Sequence, residues 1–215
     1  MTITTPAPVP SSGQARRSCG NACPAVRQHW GTPVAFATLD PAGLLSPAAA
    51  RIGPEGPALQ IVPPDEVFTD PAAATALFRA SFDALTADFG QDLAPPAGRV
   101  DVEVRIWRHG YALPAAAHPA DLVAWWVLAA GSAPERGESG ALTFADPRTG
   151  SPLTPIPGRP WGRHLMIRPI PGAHIAVPGW LASSVVPVER RQHVLVAFAS
   201  TGGTNPEDWE ETPVR

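Results

Sequence analysis

At Arg99 the hydrophobic period of this chain changes from that of a helix to that of a strand, and it does not change back. Before that point, Leu77, Phe78, Phe82, Leu85 and Phe89 recur at helical spacing. Asp70 is placed as an N-cap, Pro71 stands at the first helical position where its missing N–H costs nothing, and Gly90 is a stop. After it, Val100, Val102, Val104 and Ile106 alternate with Asp101, Glu103 and Arg105, the period-two pattern of a strand with one buried face. Further strands are predicted over 122–130, 141–145, 164–168, 173–177 and 193–199, separated by turns rich in proline and glycine. An opening strand is predicted over 30–39. One helical region followed by many short strands lacks the βαβ alternation of a doubly wound sheet. It points to a mainly β (α+β) sandwich or jelly roll backed by an N-terminal helical part.

A chain of 215 residues suits one domain with tails. Residues 1–28 read as a disordered tail, 29–200 as a single domain and 201–215 as a polar C-terminal tail. Trp209 in that acidic tail is a candidate for docking on the body or for contact with a second subunit, so a homodimer is kept open. A formal charge of -3 leaves no basic footprint for nucleic acid. No apolar run reaches the roughly 18 residues that a membrane span needs, and the N-terminus has no basic start or apolar signal core. A cytoplasmic protein is expected. All 16 basic residues are arginine, which excludes a lysine Schiff base. Cys19 and Cys23 are too few for a structural zinc site and one residue too far apart for a redox Cys-x-x-Cys pair. They read as reduced thiols. Walker, Gly-x-Gly-x-x-Gly and Gly-x-Ser-x-Gly motifs are absent from the sequence.

The segment over 169–187, Pro-Ile-Pro-Gly-Ala-His-Ile-Ala-Val-Pro-Gly-Trp-Leu-Ala-Ser-Ser-Val-Val-Pro, resembles the penultimate hairpin of a family of Fe(II)/2-oxoglutarate oxygenases. That family reads Pro-x-Pro-Gly, an apolar strand, Pro-x-Trp-Leu, then x-His-Ser-Val-x-Pro. Ser-Gly-Ala-Leu-Thr-Phe-Ala-Asp-Pro-Arg over 139–148 is similar to its Ser-Gly-x-Leu-x-Phe-x-Asp-Pro-Arg. Residues 30–34 and 193–198 resemble its opening and closing strands. The resemblance spans roughly 30–200 and implies a double-stranded β-helix. It also implies three protein ligands on one face of an iron, with three positions left for 2-oxoglutarate and oxygen, and an arginine that pairs with the far carboxylate of 2-oxoglutarate. Carried onto this chain, the first ligand position falls on Ala116, the second on His118, the distal one on Ser183 and the arginine on His193. Two of three ligands and the arginine are missing.

The expectation is therefore a jelly-roll enzyme without a metal or other cofactor. It would act on a small molecule or peptide through acid–base residues and substrate orientation, as a cyclase or isomerase does. The candidate catalytic residues are His118, His174, His193 and Tyr111. Trp125, Trp126, Arg148, Trp180 and Ser183 are candidates for substrate binding. An oxygenase using Fe(II) and 2-oxoglutarate with a ligand set rebuilt from His118, His174 and His193 is the first alternative. A non-catalytic binding module is the second. Asp146-Pro147-Arg148 also reads as a plain turn.

Overall fold

The computed structural model describes residues 24–89, 99–131, 137–148 and 163–202. Cys19, Cys23 and Trp209 lie outside these residues. Eleven strands are found among them: β1 (Ala25–His29), β2 (Thr32–Thr38), β3 (Leu59–Val62), β4 (Val100–Arg108), β5 (Leu113–Ala116), β6 (Leu122–Ala130), β7 (Leu142–Phe144), β8 (Leu165–Ile167), β9 (Ala173–Pro178), β10 (Ser183–Val185) and β11 (His193–Thr201). Two α-helices, α1 (Pro64–Val67) and α2 (Pro71–Phe89), precede β4. A seven-stranded sheet has the order β1-β2-β9-β6-β11-β4-β3, and a four-stranded sheet the order β5-β10-β7-β8. Every pairing is antiparallel. From β4 to β11 the chain winds back and forth between the sheets, and this places β4-β11-β6-β9 opposite β5-β10-β7-β8. That winding is the double-stranded β-helix, a jelly roll.

The N-terminal boundary differs from the sequence reading. β1 begins at Ala25, inside the stretch expected to be tail, and forms a hairpin with β2. The turn holds Trp30 and Gly31 at φ of 55° and 81°, the left-handed pair that a two-residue hairpin needs. Only alternation longer than five residues would have flagged β1, and Arg27 and Gln28 interrupt it.

The seven-stranded sheet is covered on both sides. Its outer face packs on α2 through Phe78, Phe82 and Leu85, with Leu195, Ala197, Ala199, Val104, Ile106 and Trp126 on the strands. Its inner face, with Trp107, Trp125, Val194, Val196 and Phe198, meets the four-stranded sheet through Leu142, Phe144 and Val185. α2 starts as the sequence predicts, with the Ala73 N–H donating to Asp70 Oδ1 at 2.9 Å. Trp126 faces α2. It stacks on Phe68 and donates from Nε1 to the Leu39 carbonyl at 3.0 Å. It is a core residue and has no access to the barrel, so the expectation that it binds substrate is corrected.

His174 is likewise on the α2 side. It pairs with Trp126 and Ala37 in register, and its ring packs on Phe78. Its Nε2 lies 2.8 Å from Ser81 Oγ, and Ser81 Oγ donates to the Leu77 carbonyl at 3.3 Å. Since the serine hydroxyl is spent on Leu77, Nε2–H is the donor of the first bond and Nδ1 is the unprotonated nitrogen. Nδ1 is buried and has no partner among the described residues. Protonating it would bury an unsatisfied N–H with a charge. His174 therefore does not reach the barrel as an acid or base, because the parity of β9 turns it to the other face.

Burial pushes the His174 imidazole down from 6.5 to about 3. The folded state prefers the neutral ring, so this contribution to stability is complete above pH 6.5. It is lost as pH falls towards 3, at about 1.4 kcal/mol per pH unit. Chemical denaturation of wild type and His174→Leu at pH 7 and pH 4.5 tests this. Wild type is expected to lose about 2–3 kcal/mol more than the variant over that interval. Equal losses would remove His174 from the account of acid unfolding.

Candidate active site

The loop that follows β5 is pinned against the turn after β9. The His118 N–H donates to the Gly179 carbonyl at 2.8 Å, and the Gly179 N–H to the Asp121 carbonyl at 2.8 Å. A Cβ on Gly179 would lie 1.8 Å from the Ala120 carbonyl oxygen and 2.9 Å from that of His118. No side chain fits there. The Pro-Gly-Trp of the sequence motif thus has a packing reason: its glycine lets the backbone carrying His118 lie directly on β9 and β10.

This contact brings the predicted positions together at one end of the jelly roll. Ala116 on β5 pairs directly with Ser183 on β10. Ser183 shares the inward face of β10 with Val185, whereas Ser184 faces away and bonds Thr143 Oγ1 at 2.6 Å. His118 lies two residues beyond Ala116 and sets its ring 5.3 Å from that of Phe198. Trp125 also packs on Phe198, with ring centroids 5.3 Å apart.

The sequence reading missed two polar residues at this end. Glu103 and Arg105 share the inward face of β4 with Trp107. The Arg105 guanidinium lies over the Phe198 ring, 3.9 Å from its centroid, a cation–π contact. Its Nε and Nη2 both bond Glu103 Oε1, so the second carboxylate oxygen stays outside that pair. Both side chains are only partly buried. Their alternation with Val102 and Val104 reads, from sequence alone, as a solvated face. The signal that was available is Trp107, which continues the same face and is too large to be left in water.

Tyr111 stacks on Trp107 with ring centroids 5.5 Å apart. Burial, aided by Glu103, pushes its phenol above the ordinary range, although Arg105 opposes this. His118 is shifted the other way. Burial first and Arg105 second lower its imidazole below the ordinary value, against a smaller pull from Glu103. Nδ1 of His118 accepts the Ala120 N–H at 3.1 Å. That bond exists only while Nδ1 is unprotonated, so the neutral ring carries its proton on Nε2. His118, Tyr111 and Arg105 are three donors, and Glu103 is the carboxylate among them.

The remaining predicted residues are placed elsewhere. His193 pairs with Arg108 and takes the outer face with Leu195, while Val194, Val196 and Phe198 face inward. The position read as that of the cosubstrate arginine thus turns away from the barrel. His193 opens on a surface cleft of about 300 Å3 with Arg168, Ile170 and Gln192. Arg148 folds back on its own turn, with Nη2 2.6 Å from Asp146 Oδ2 and Nε 2.9 Å from Oδ1. This is the turn reading of Asp146-Pro147-Arg148. Trp180 is 54% exposed at the turn beside Gly179. Trp125 is in the barrel interior, only 4% exposed. Beneath it, a residual space of about 10 Å3 is lined by Trp107 and Trp125, whose indole N–H groups have no partner among the described residues. That volume suits about one water molecule.

The resemblance to oxygenases implies iron, and the donor set here does not fit one. A methyl, one imidazole and a hydroxyl, from Ala116, His118 and Ser183, stand where three ligands are wanted. Among the described residues no group of three or more His, Cys, Asp or Glu side chains is placed to hold a metal ion. No helix among them is long and apolar enough to cross a membrane.

No family model matches the chain. No curated protein matches it either. Solved structures do. EvdO2 from Micromonospora carbonacea var. aurantiaca, complexed with 2-oxoglutarate, is 14% identical with a TM-score of 0.47, over 84% of this chain and 90% of that one. A prolyl-4-hydroxylase from Pseudomonas putida is 12% identical with a TM-score of 0.43, over 67% and 68%. The non-heme alpha ketoglutarate dependent epimerase SnoN, from nogalamycin biosynthesis, is 16% identical with a TM-score of 0.41, over 68% and 67%. These are likenesses of chain path. The strand order establishes the fold independently of them.

Gly179→Ala is expected to destabilise the protein by about 1–3 kcal/mol or more, the range for forced overpacking. It should also loosen the His118 loop, which NMR titration would report as a His118 pKa moving back towards its ordinary value. An unchanged melting temperature and titration would refute the role given to this contact.

Proposed function

We propose that this chain is an enzyme on an oxygenase-type jelly roll that acts without iron on a small carbonyl-bearing molecule or peptide. The reaction class is proton transfer leading to isomerisation or ring closure. One juxtaposition carries this reading. Ala116 and Ser183 face each other at the positions where the resembling family places ligands, and a carboxylate, Glu103, lies beside three hydrogen-bond donors.

The chemistry follows from the groups present. Glu103 takes a proton from the carbon next to the substrate carbonyl. The C–H electron pair becomes the C=C bond of an enolate, and the carbonyl pair moves onto oxygen. Donors of this site would hold that oxygen, and the less they reorganise the more they contribute. His118 supplies Nε2–H as a neutral imidazole, and Tyr111 supplies a phenol that burial keeps protonated. Arg105 keeps the Glu103 carboxylate in place, and the Phe198 ring fixes Arg105. Returning the proton at a different carbon gives an isomer. Attack of the enolate carbon on a second carbonyl of the same substrate gives a ring, and the new alkoxide takes the proton from Glu103. Neither route requires an oxidant. Trp180, exposed at the turn beside Gly179, is the aromatic surface for orienting a substrate, while Trp125 backs Phe198 from the core.

Protein purified without chelator is expected to contain iron well below one atom per chain and to form no succinate from 2-oxoglutarate. Stoichiometric iron with succinate formation would overturn the proposal in favour of an oxygenase. The double variant Ala116→His/Ser183→His, with His118, restores three imidazoles. It is expected to bind one Co(II) per chain with visible d–d absorption, which wild type lacks. Failure to do so would show that these are not ligand positions. On a substrate identified by thermal-shift screening, Glu103→Gln and His118→Ala should each lower kcat by about 10²–10⁴-fold. Full activity in both variants would exclude this site.

A further inference from the structure

The opposite face of β4 carries a second polar site, independent of the first. Arg108 points outward beside Ile106 and is 5% exposed. Its Nε donates to the Gly53 carbonyl at 2.9 Å, and its Nη1 to the Pro57 carbonyl at 3.4 Å and to Gln60 Oε1 at 2.9 Å. These acceptors are all neutral. Arg108 makes no ion pair with a carboxylate among the described residues, and its Nη2 has no hydrogen-bond partner among them. Glu55 lines the same cleft and acts on the guanidinium electrostatically without forming an ion pair, so Nη2 keeps its donor capacity for an anion entering the cleft.

The surroundings are built around that group. Gly56 stands at φ 127°, and a Cβ there would lie 3.1 Å from both Cζ and Nη1 of Arg108. The loop therefore clasps the guanidinium and holds it still. Arg108 and Gln60 line a cleft of about 390 Å3, within the size range of small-molecule sites. Gln60 spends its carbonyl oxygen on Arg108, so its amide N–H groups are left as donors. Ile52, Val62 and Ile106 supply an apolar wall. Glu55 and Glu66 also line the cleft and offset Arg51 and Arg108, which disfavours a dianion.

We propose that this cleft binds a small monocarboxylate with an apolar tail, its carboxylate taken by Arg108 Nη2 and the Gln60 amide. A planar carboxylate fits the edge of a guanidinium, and the tail lies against Ile52, Val62 and Ile106. The site is separated from the Glu103 and His118 cluster by the thickness of the sheet, so it does not depend on the proposed reaction.

Calorimetric titration of the full chain with 3-methylbutanoate, 3-methylbutylamine and inorganic phosphate tests this. The carboxylate is expected to bind at one site per chain, phosphate at least about tenfold more weakly, and the amine not at all. Gln60→Leu should weaken 3-methylbutanoate about tenfold while the circular dichroism spectrum stays that of wild type. Arg108→Gln should abolish binding. Because Arg108 also pins the loop, Gln60→Leu is the decisive variant. Absence of carboxylate binding at millimolar concentration, preference for the amine or phosphate, or unchanged affinity in Gln60→Leu would each overturn the proposal.

Discussion

The central strands β4, β11, β6 and β9 are covered on both faces, and the rest of the structure depends on that. Burial on one side would leave alternate residues free to be anything soluble. Here each alternate set enters a core, α2 on one side and the second sheet on the other. A polar group on these strands is costly unless it is satisfied locally, and the Trp107 and Trp125 indole N–H groups and the Nδ1 atoms of His174 and His193 stay without a partner among the described residues. His174 has Ser81, Trp126 has the Leu39 carbonyl, and Arg108 has a clasping loop. Glu103 and Arg105 have each other and the Phe198 ring.

This constraint separates the histidines by role. Parity along β9 sends His174 into the helix-side core. Parity along β11 sends His193 to the outer surface. Of the three candidate histidines, His118 alone lies with Phe198 and Arg105, and it does so from a loop whose position is set by a backbone contact on Gly179. Convergence of the three imidazoles, which an unorthodox metal site would need, is prevented by strand geometry. A single neutral histidine beside a carboxylate, a phenol and an arginine suits carbonyl polarisation and proton transfer, the basis of the proposed reaction.

Much of the architecture was legible in the chain. The stripe from Leu77 to Phe89 and the Asp70-Pro71 start are local signals, and α2 follows them. The long strands β4, β6 and β11 announce themselves through length and β-branched or aromatic content. β3, β5 and β10 are three or four residues long and were not legible, whereas β7 and β8, equally short, were, because Leu142–Phe144 and Leu165–Ile167 are wholly apolar or β-prone. β5 is Leu-Pro-Ala-Ala, a sequence with no strand preference, and it becomes a strand because β10 pairs with it. The site was legible in part for the same reason. His118 and Ser183 came from motif positions and Tyr111 from being the only tyrosine, just ahead of the first of them, whereas Glu103 and Arg105 looked like ordinary solvated charges.

The amino-acid sequence by itself determined the order of elements, the turn glycines and which residues could ever act as acids, bases or donors. It did so because propensity, capping and side-chain chemistry are local properties. Only the tertiary structure decided which face each strand residue occupies, and hence which of those groups meet. Facing is set by the partner on each side of a strand, and the partners of β4, β9 and β11 come from segments dozens of residues away. Trp125 and Trp126, adjacent in the chain, therefore end in different cores, and Arg105 and Arg108, three residues apart, lie on opposite faces of the sheet.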